Sequence, residues 1–211
     1  MARMHWDDVK DRAMDDEQVF RWILIAGSAM VLPVGLYHRL QAAKTREKLD
    51  RRAEGLFILV TLRPVALLGM GGLIAYMINP VWMAWSAVAL PAGLRWCGVG
   101  IGVLTAGLMF AVFRSLGPNL TDTVVTRAEH TLVTHGPYRW VRHPFYGAAL
   151  LAVTANALTA ANWFIALTGL TAYVLLRIRT NTEEAKLIER FGDDYRQYMA
   201  RTGRFFPKIG K

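Results

Sequence analysis

Cysteine is almost missing. The 211 residues hold one, Cys97, inside an apolar run, which excludes a disulfide framework and a cysteine-based zinc site. Charge is scarce as well, 19% of residues against 54% hydrophobic, and the apolar residues are clustered, so a soluble domain of average composition is excluded and a membrane protein is expected. Acid is the poorer sign, with 16 Asp and Glu against 25 Lys and Arg for a net charge of +9. The basic residues fall in the gaps between apolar stretches, where cytoplasmic loops of membrane proteins carry them, so nucleic acid is not the expected partner. No strand precedes the glycines at 69–72 or at 98–102, which excludes a dinucleotide-binding loop and leaves close helix packing as their reading. Low-complexity segments and long amphipathic repeats are absent.

What is present is a series of spans. Trp22 to Tyr37, extended by Val19 and Phe20, approaches the roughly 20 residues that cross a ~30 Å hydrocarbon core. The acidic residues before it (Asp7, Asp8, Asp11, Asp15, Asp16 and Glu17) are unlike the basic start of a cleavable signal peptide, so the stretch is expected to be retained. Leu56 to Ile78 is a second span, interrupted by Arg63-Pro64; Arg63 reads equally as a pocket residue or as an anchor reaching the headgroups. Trp82 to Leu90 is too short to cross, with Trp82 and Trp85 as interfacial aromatics, and Pro91, Gly93 and Arg95 break it before a third span at about Trp96 to Phe113.

Residues 144–176 carry no charge, a stretch long for one crossing and short for two. Arg114, Arg127, Arg139 and Arg142 precede it and nine Lys or Arg follow Leu176, so both flanks belong on the cytoplasmic side with an even number of crossings between them. A hairpin of two short helices fits, turning at Thr159-Ala160-Ala161-Asn162. The basic loop with Arg39, Lys44, Arg46, Lys48, Arg51 and Arg52 is cytoplasmic by the same rule. The expected fold is an all-α polytopic membrane helical bundle of about five transmembrane helices with a short C-terminal cytoplasmic helical segment. Its N-terminus lies outside and its C-terminus in the cytoplasm, across a bacterial inner membrane or its equivalent. One membrane domain, 1–211, is expected, with N-terminal spans over 1–113 and the chemistry over 114–211.

Two polar stretches bracket the hairpin and meet at its base: Thr121 to Tyr146, and Arg177 onward. Pro144 suits a first helical turn and holds His143 extended before it, at a helix edge whose free N–H groups can receive a carboxylate. Glu183 to Arg190 reads as helix ended by Gly192, with Arg179 and Glu183 four apart on one face, and Tyr195, Tyr198 and Met199 give a following helix an apolar side to cover the site or touch the membrane. Glu183 also reads as a solvated charge near Lys186, and Tyr138, Trp140 and Tyr146 as interfacial anchors. His130, His135 and His143 fit no usual zinc spacing, so no metal is expected, while His5 and His38 at span ends read as solvated.

The run THGPYRWVRHPFYGA (Thr134 to Ala148), followed after the hairpin by TEEAKLIERFGDDYRQYMARTGRFFP (Thr182 to Pro207), resembles the isoprenylcysteine carboxyl methyltransferase and phospholipid methyltransferase superfamily. The likeness spans residues 121–207 and departs from the usual pattern at Gly203-Arg204, where Pro-Arg is common. It implies a helical pocket for S-adenosylmethionine, with S-adenosylhomocysteine as product, at the cytoplasmic face. Cofactor contacts carried onto matching positions are Thr123, His130, Thr131, Leu132, Val133, Tyr138, His143, Pro144, Phe145, Tyr146 and Glu183, with Arg179 on the substrate side and Arg179 and Glu183 as the catalytic pair. Partners so implied are the bilayer and a membrane lipid or a prenylated small molecule or protein. The acceptor expected is the carboxylate of an isoprenylcysteine-like substrate, ahead of a phospholipid amine or a small thiol. A non-catalytic membrane component or small transporter is the competing class, disfavoured because only Arg63 and Arg95 are charged within or beside the apolar spans.

Overall fold

The structure is a computed structural model that describes residues 6–43, 56–117 and 131–208. Among the described residues the bundle has five α-helices: α1 (Trp6–Ala43), α2 (Leu56–Ile78), α3 (Ala92–Leu116), α4 (Pro144–Ala160) and α5 (Trp163–Arg201). Among the described residues there is no strand beyond two isolated bridges, Ala87 with Asn162 and Val141 with Gly203. Asp16–Tyr37 of α1, Val60–Ile78 of α2 and the whole of α3 are long and apolar enough to cross a membrane. The 17-residue α4 is a shorter apolar helix, and α5 is apolar only in its first half. Large apolar side chains stand outward on these helices, among them Leu67 and Leu68 on α2 and Val103 and Leu104 on α3. Such faces suit lipid, and the architecture is that of a polytopic membrane helical bundle.

The hairpin turns where the sequence places it. Ala161 takes the left-handed conformation (φ 47°) that ends α4, and Asn162 caps α5 by accepting from the backbone N–H groups of Phe164 and Ile165, each at 3.1 Å. The Asn162 amide also donates to Met83 O and Ser86 Oγ, and Val88 N–H donates to Ala161 O. One buried side chain therefore both starts a helix and seats the connecting segment. That segment is a 3-10 helix, Pro80–Ser86, capped by Asn79, and Trp82 and Trp85 are exposed on it as interfacial aromatics would be.

Helix α4 packs between α3 and α5, and α2 packs along α5. Two glycines set those approaches. A Cβ on Gly98 would sit 2.8 Å from Thr159 N and from Leu158 Cβ of α4, and one on Gly69 would sit 2.9 Å from Thr168 Oγ1 of α5. Gly72 is also close, with a Cβ 3.0 Å from Phe164, and Gly102 is in ordinary contact with Ala155, whereas Gly71 and Gly100 face open space.

Helix α3 begins earlier than the hydropathy suggests, at Ala92 rather than Trp96, because Pro91 starts it and Arg95 finds partners inside the protein. The Arg95 guanidinium donates to Glu17 Oε2 at 2.7 Å, to the Tyr76 hydroxyl at 3.1 Å and to Thr159 O at 3.0 Å, and lies 4.0 Å from the Phe20 ring centroid. The Tyr76 hydroxyl closes the group by donating to Glu17. Four helices are tied by this cluster at the end of the bundle opposite the start of α4. Gly192 is non-helical (φ 56°, ψ −126°) and divides α5 into two helical segments, the helix end and the following helix expected from the sequence.

Candidate functional site

The site forms where the start of α4 meets the middle of α5. Pro144 opens α4 and is buried, and His143 before it is extended (φ −124°, ψ 60°) with its ring 5% exposed. Helix α5 continues unbroken past its apolar half, so its polar residues 179–184 stand beside that turn.

Two adjacent glutamates take different parts there. Glu183 Oε2 accepts from the Tyr146 hydroxyl at 2.5 Å and lies 3.9 Å from His143 Nδ1, with its side chain 26% exposed. Arg179, one turn earlier on the same face, reaches the same Tyr146 hydroxyl. Glu184 is turned inward: Oε1 receives Arg142 Nε at 2.9 Å and meets His143 Nε2 at 3.1 Å, and Oε2 receives Arg204 at 3.2 Å. Burial alone would raise the Glu184 carboxyl, but the hydrogen bonds from His143 and Arg142 and their charges outweigh it and hold the group down at about 2 against an ordinary 4.5. Glu184 is therefore an ionised carboxylate across the neutral range.

The segment after α5 closes over the turn. Arg142 N–H donates to Gly203 O, His143 N–H to Arg204 O and Gly203 N–H to Trp140 O, while the Arg142 guanidinium caps the C-terminal end of α5 by donating to Thr202 O at 2.6 Å and Met199 O at 3.2 Å. The N–H of His143 itself is thus taken by the chain. His143 stacks on Tyr146 at 5.4 Å with an interplanar angle of 4°, and Phe205 leans on both. Beyond the Gly192 kink, Tyr198 donates to Tyr138 O at 2.6 Å, and Tyr195 and Tyr198 are buried, so that face covers the site. Burial and the Glu183 charge hold the Tyr138 hydroxyl well above its ordinary value, which keeps it a donor. A cavity of about 640 Å³, within the size range of small-molecule sites, adjoins this turn; Gly136, Pro137, Pro144, Gly147, Tyr173 and Phe205 line part of it.

Of the residues singled out in the sequence, Tyr138, His143, Pro144, Tyr146, Arg179 and Glu183 are brought together here. The Phe145 ring lies between Tyr146, at 5.9 Å, and Phe113 on α3, at 6.2 Å between centroids. Thr131, Leu132 and Val133 lie in irregular chain leading to the turn, and Thr123 and His130 are outside the described residues. Lys186, weighed as a partner for Glu183, pairs with Glu189 at 2.9 Å. No group of three or more His, Cys, Asp or Glu residues suited to a metal ion occurs among the described residues. Glu184 and Phe205 are site residues that the sequence does not single out, and Arg142 and Arg204 are named there only for topology and for the departure at Gly203-Arg204. The signal for them is the doubled glutamate, whose two carboxylates stand about 100° apart around α5 and reach different groups.

Residues 98–189 match the isoprenylcysteine carboxyl methyltransferase (ICMT) family. The chain is 32% identical over 135 residues to the methanethiol S-methyltransferase of Pseudomonas deceptionensis, covering 61% of this chain and 50% of that one. It is 36% identical over 81 residues to the human protein-S-isoprenylcysteine O-methyltransferase, covering 38% and 28%. The alignments thus span half or less of these curated relatives. A solved structure of the eukaryotic intramembrane Ras methyltransferase, an isoprenylcysteine carboxyl methyltransferase, has the same fold with a TM-score of 0.51 at 21% identity, covering 89% of this chain and 68% of that one. Over residues 98–189 the sequence is similar to the isoprenylcysteine carboxyl methyltransferase family, and the helical architecture is that of the solved family structure.

Proposed function

We propose that this chain is an integral membrane methyltransferase that uses S-adenosylmethionine and passes the methyl group to the carboxylate of an isoprenylcysteine-like acceptor. The observation that carries the reading is the pairing of opposite charges around one hydroxyl. Glu183 and Arg179 both act on Tyr146, so an anion suited to a cationic cofactor and a cation suited to an anionic acceptor stand side by side. The donor set fits the cofactor. Its ammonium and ribose hydroxyls need an acceptor such as the partly exposed Glu183, and its adenine and sulfonium need aromatic faces of the kind that His143, Tyr146 and Phe205 present.

S-adenosylmethionine, when bound, supplies an electrophilic methyl group on a sulfonium. A carboxylate acceptor is already a nucleophile and needs no base, so the work of the protein is alignment and exclusion of water. Arg179 orients the acceptor carboxylate by charge-assisted hydrogen bonds, Glu183 holds the cofactor, and the Tyr146 hydroxyl fixes the Glu183 rotamer. Tyr138, Thr131, Leu132 and Val133 belong to the cofactor side of the same reading, as do Thr123 and His130. The topology proposed with it puts the N-terminus outside and the site at the cytoplasmic face.

A small-thiol acceptor is the second reading, supported by the likeness to a methanethiol S-methyltransferase over 61% of the chain. A thiol must lose a proton, which Glu183 or His143 would receive. Calorimetric titration of the detergent-purified chain with S-adenosylmethionine and S-adenosylhomocysteine tests the cofactor, and no heat with both would sink the reading. Methyl-labelled cofactor offered with farnesylated cysteine, methanethiol or a phospholipid extract then separates the acceptors.

A further inference from the structure

A second, smaller cavity of about 340 Å³ opens on another side of α5, lined by Val174, Arg177, Ile178, Asn181, Arg204 and Phe205. Val174, Arg177, Ile178 and Asn181 are spaced i, i+3, i+4, i+7 and so share one face of the helix. Arg179, two residues from Arg177, is turned about 200° around the same helix, which separates this cavity from the Arg179–Glu183 pair.

Its chemistry is lopsided. The Arg177 guanidinium lies 5.0 Å from the Phe205 ring centroid, Arg204 lies 5.7 Å from the same ring, and no carboxylate among the described residues pairs with Arg177. Arg204 spends one nitrogen on Asn181 Oδ1 at 2.7 Å and Glu184 Oε2 at 3.2 Å, while its Nε is buried without an acceptor. Glu184, the one acid nearby, is already shared with Arg142 and His143. Two guanidiniums therefore line a cavity with an excess of positive charge.

Position names the occupant. Arg177 is the first charge on α5 after the uncharged residues 144–176, so it stands at the level where the apolar bundle gives way to water. Val174 and Ile178, the apolar walls on its face, are 54% and 49% exposed. We propose that this cavity binds the phosphate of an anionic phospholipid, held by the two guanidiniums and the Asn181 amide, with an acyl chain descending along Val174 and Ile178. Guanidinium matches a phosphodiester with paired donors, and basic pockets beside membrane helices are suited to acidic headgroups. The free phosphate ion has the same charge chemistry but makes no use of the exposed apolar wall. The assignment does not depend on the methyltransferase reading.

Native mass spectrometry of the full chain in mild detergent, with phosphatidylglycerol, phosphatidylcholine or inorganic phosphate added, tests it. Wild type is expected to retain phosphatidylglycerol over phosphatidylcholine and to melt at a higher temperature with it. Arg177→Ala should weaken that retention at least about fivefold, and Arg177→Lys should weaken it less, since charge survives while the paired donors are lost. Arg196→Ala, which removes an exposed arginine paired with Asp193, serves as the control and should leave retention unchanged. Equal retention of the two lipids by wild type, or wild-type retention by Arg177→Ala, would overturn the site. Stabilisation by inorganic phosphate equal to that by phosphatidylglycerol would overturn the lipid assignment.

Discussion

His143 Nε2 lies 3.1 Å from Glu184 Oε1, the oxygen that also takes the Arg142 guanidinium, while His143 Nδ1 faces Glu183 at 3.9 Å. The ring is thereby oriented by one carboxylate and turned toward the other. Of two neighbouring glutamates, one is consumed in building the turn and one is left partly open.

That division separates two variants. Glu184→Ala leaves the buried Arg142 guanidinium without its carboxylate partner and should cost about 3 kcal/mol, read as a lower melting temperature in detergent. Glu183→Ala, at a more exposed position, should cost under about 1 kcal/mol and instead weaken S-adenosylmethionine binding in calorimetry. Equal cofactor affinity in wild type and Glu183→Ala would refute the split.

Acid sensitivity should follow from Glu184. Its folded value, about 2, lies below the ordinary 4.5, so its contribution is complete above about pH 4.5 and is lost as pH falls from there toward 2. Melting temperature measured from pH 6 to pH 3 should drop over this window in wild type and drop less in Glu184→Gln, which already lacks the ionised group.

Arg179→Ala and Tyr146→Phe should act on different quantities. The first removes the orienting charge and should lower kcat about 10²-fold or more with cofactor affinity nearly kept, as loss of positioning does. Tyr146→Phe frees the Glu183 carboxylate from its hydroxyl donor and should weaken cofactor binding roughly tenfold, in line with loss of a hydrogen bond to a charged group. Calorimetry beside steady-state rates distinguishes them.

Two glycines on α3 should respond oppositely to alanine. Gly98→Ala pushes a methyl into Thr159 N and Leu158 Cβ and should destabilise by about 1–3 kcal/mol, whereas Gly100→Ala meets nothing within 4 Å and should be neutral or stabilising by about 0.5–1 kcal/mol through helix propensity. Thermal unfolding of the pair in the same detergent is the check.

Arg95→Leu should cost on the order of 2 kcal/mol, since it leaves the Glu17 carboxylate without its countercharge at the far end of the bundle. Adding Glu17→Gln should restore part of the loss. A double-mutant cycle on melting temperature measures the coupling, and strict additivity would contradict the cluster.

What the sequence disclosed was governed by local rules. The turn at Thr159 to Asn162 followed from the uncharged length and the arginines on either side, and the bounds of α2 from hydropathy alone. Tyr138, His143, Tyr146, Arg179 and Glu183 were reachable by resemblance, since their motifs lie close together in sequence. Long-range pairing was not legible. Arg142 had only topological meaning until Glu184, 42 residues later, met it, and Arg95 looked like a helix breaker until Glu17, 78 residues earlier, accepted its charge. Which of two adjacent glutamates turns inward depends on the rotation of α5 against α4, and hydropathy does not report that angle.

The kink at Gly192 makes the stretch of α5 before it a phase-setting element. Glu184 is locked to Arg142 and His143, and Tyr198 is latched to Tyr138 O. Because each helical residue advances the chain by about 100°, inserting or deleting one residue between Glu184 and Gly192 would swing Tyr195 and Tyr198 off that latch while leaving every residue of both clusters in place. Spacing here, as much as residue identity, determines whether the polar turn is covered.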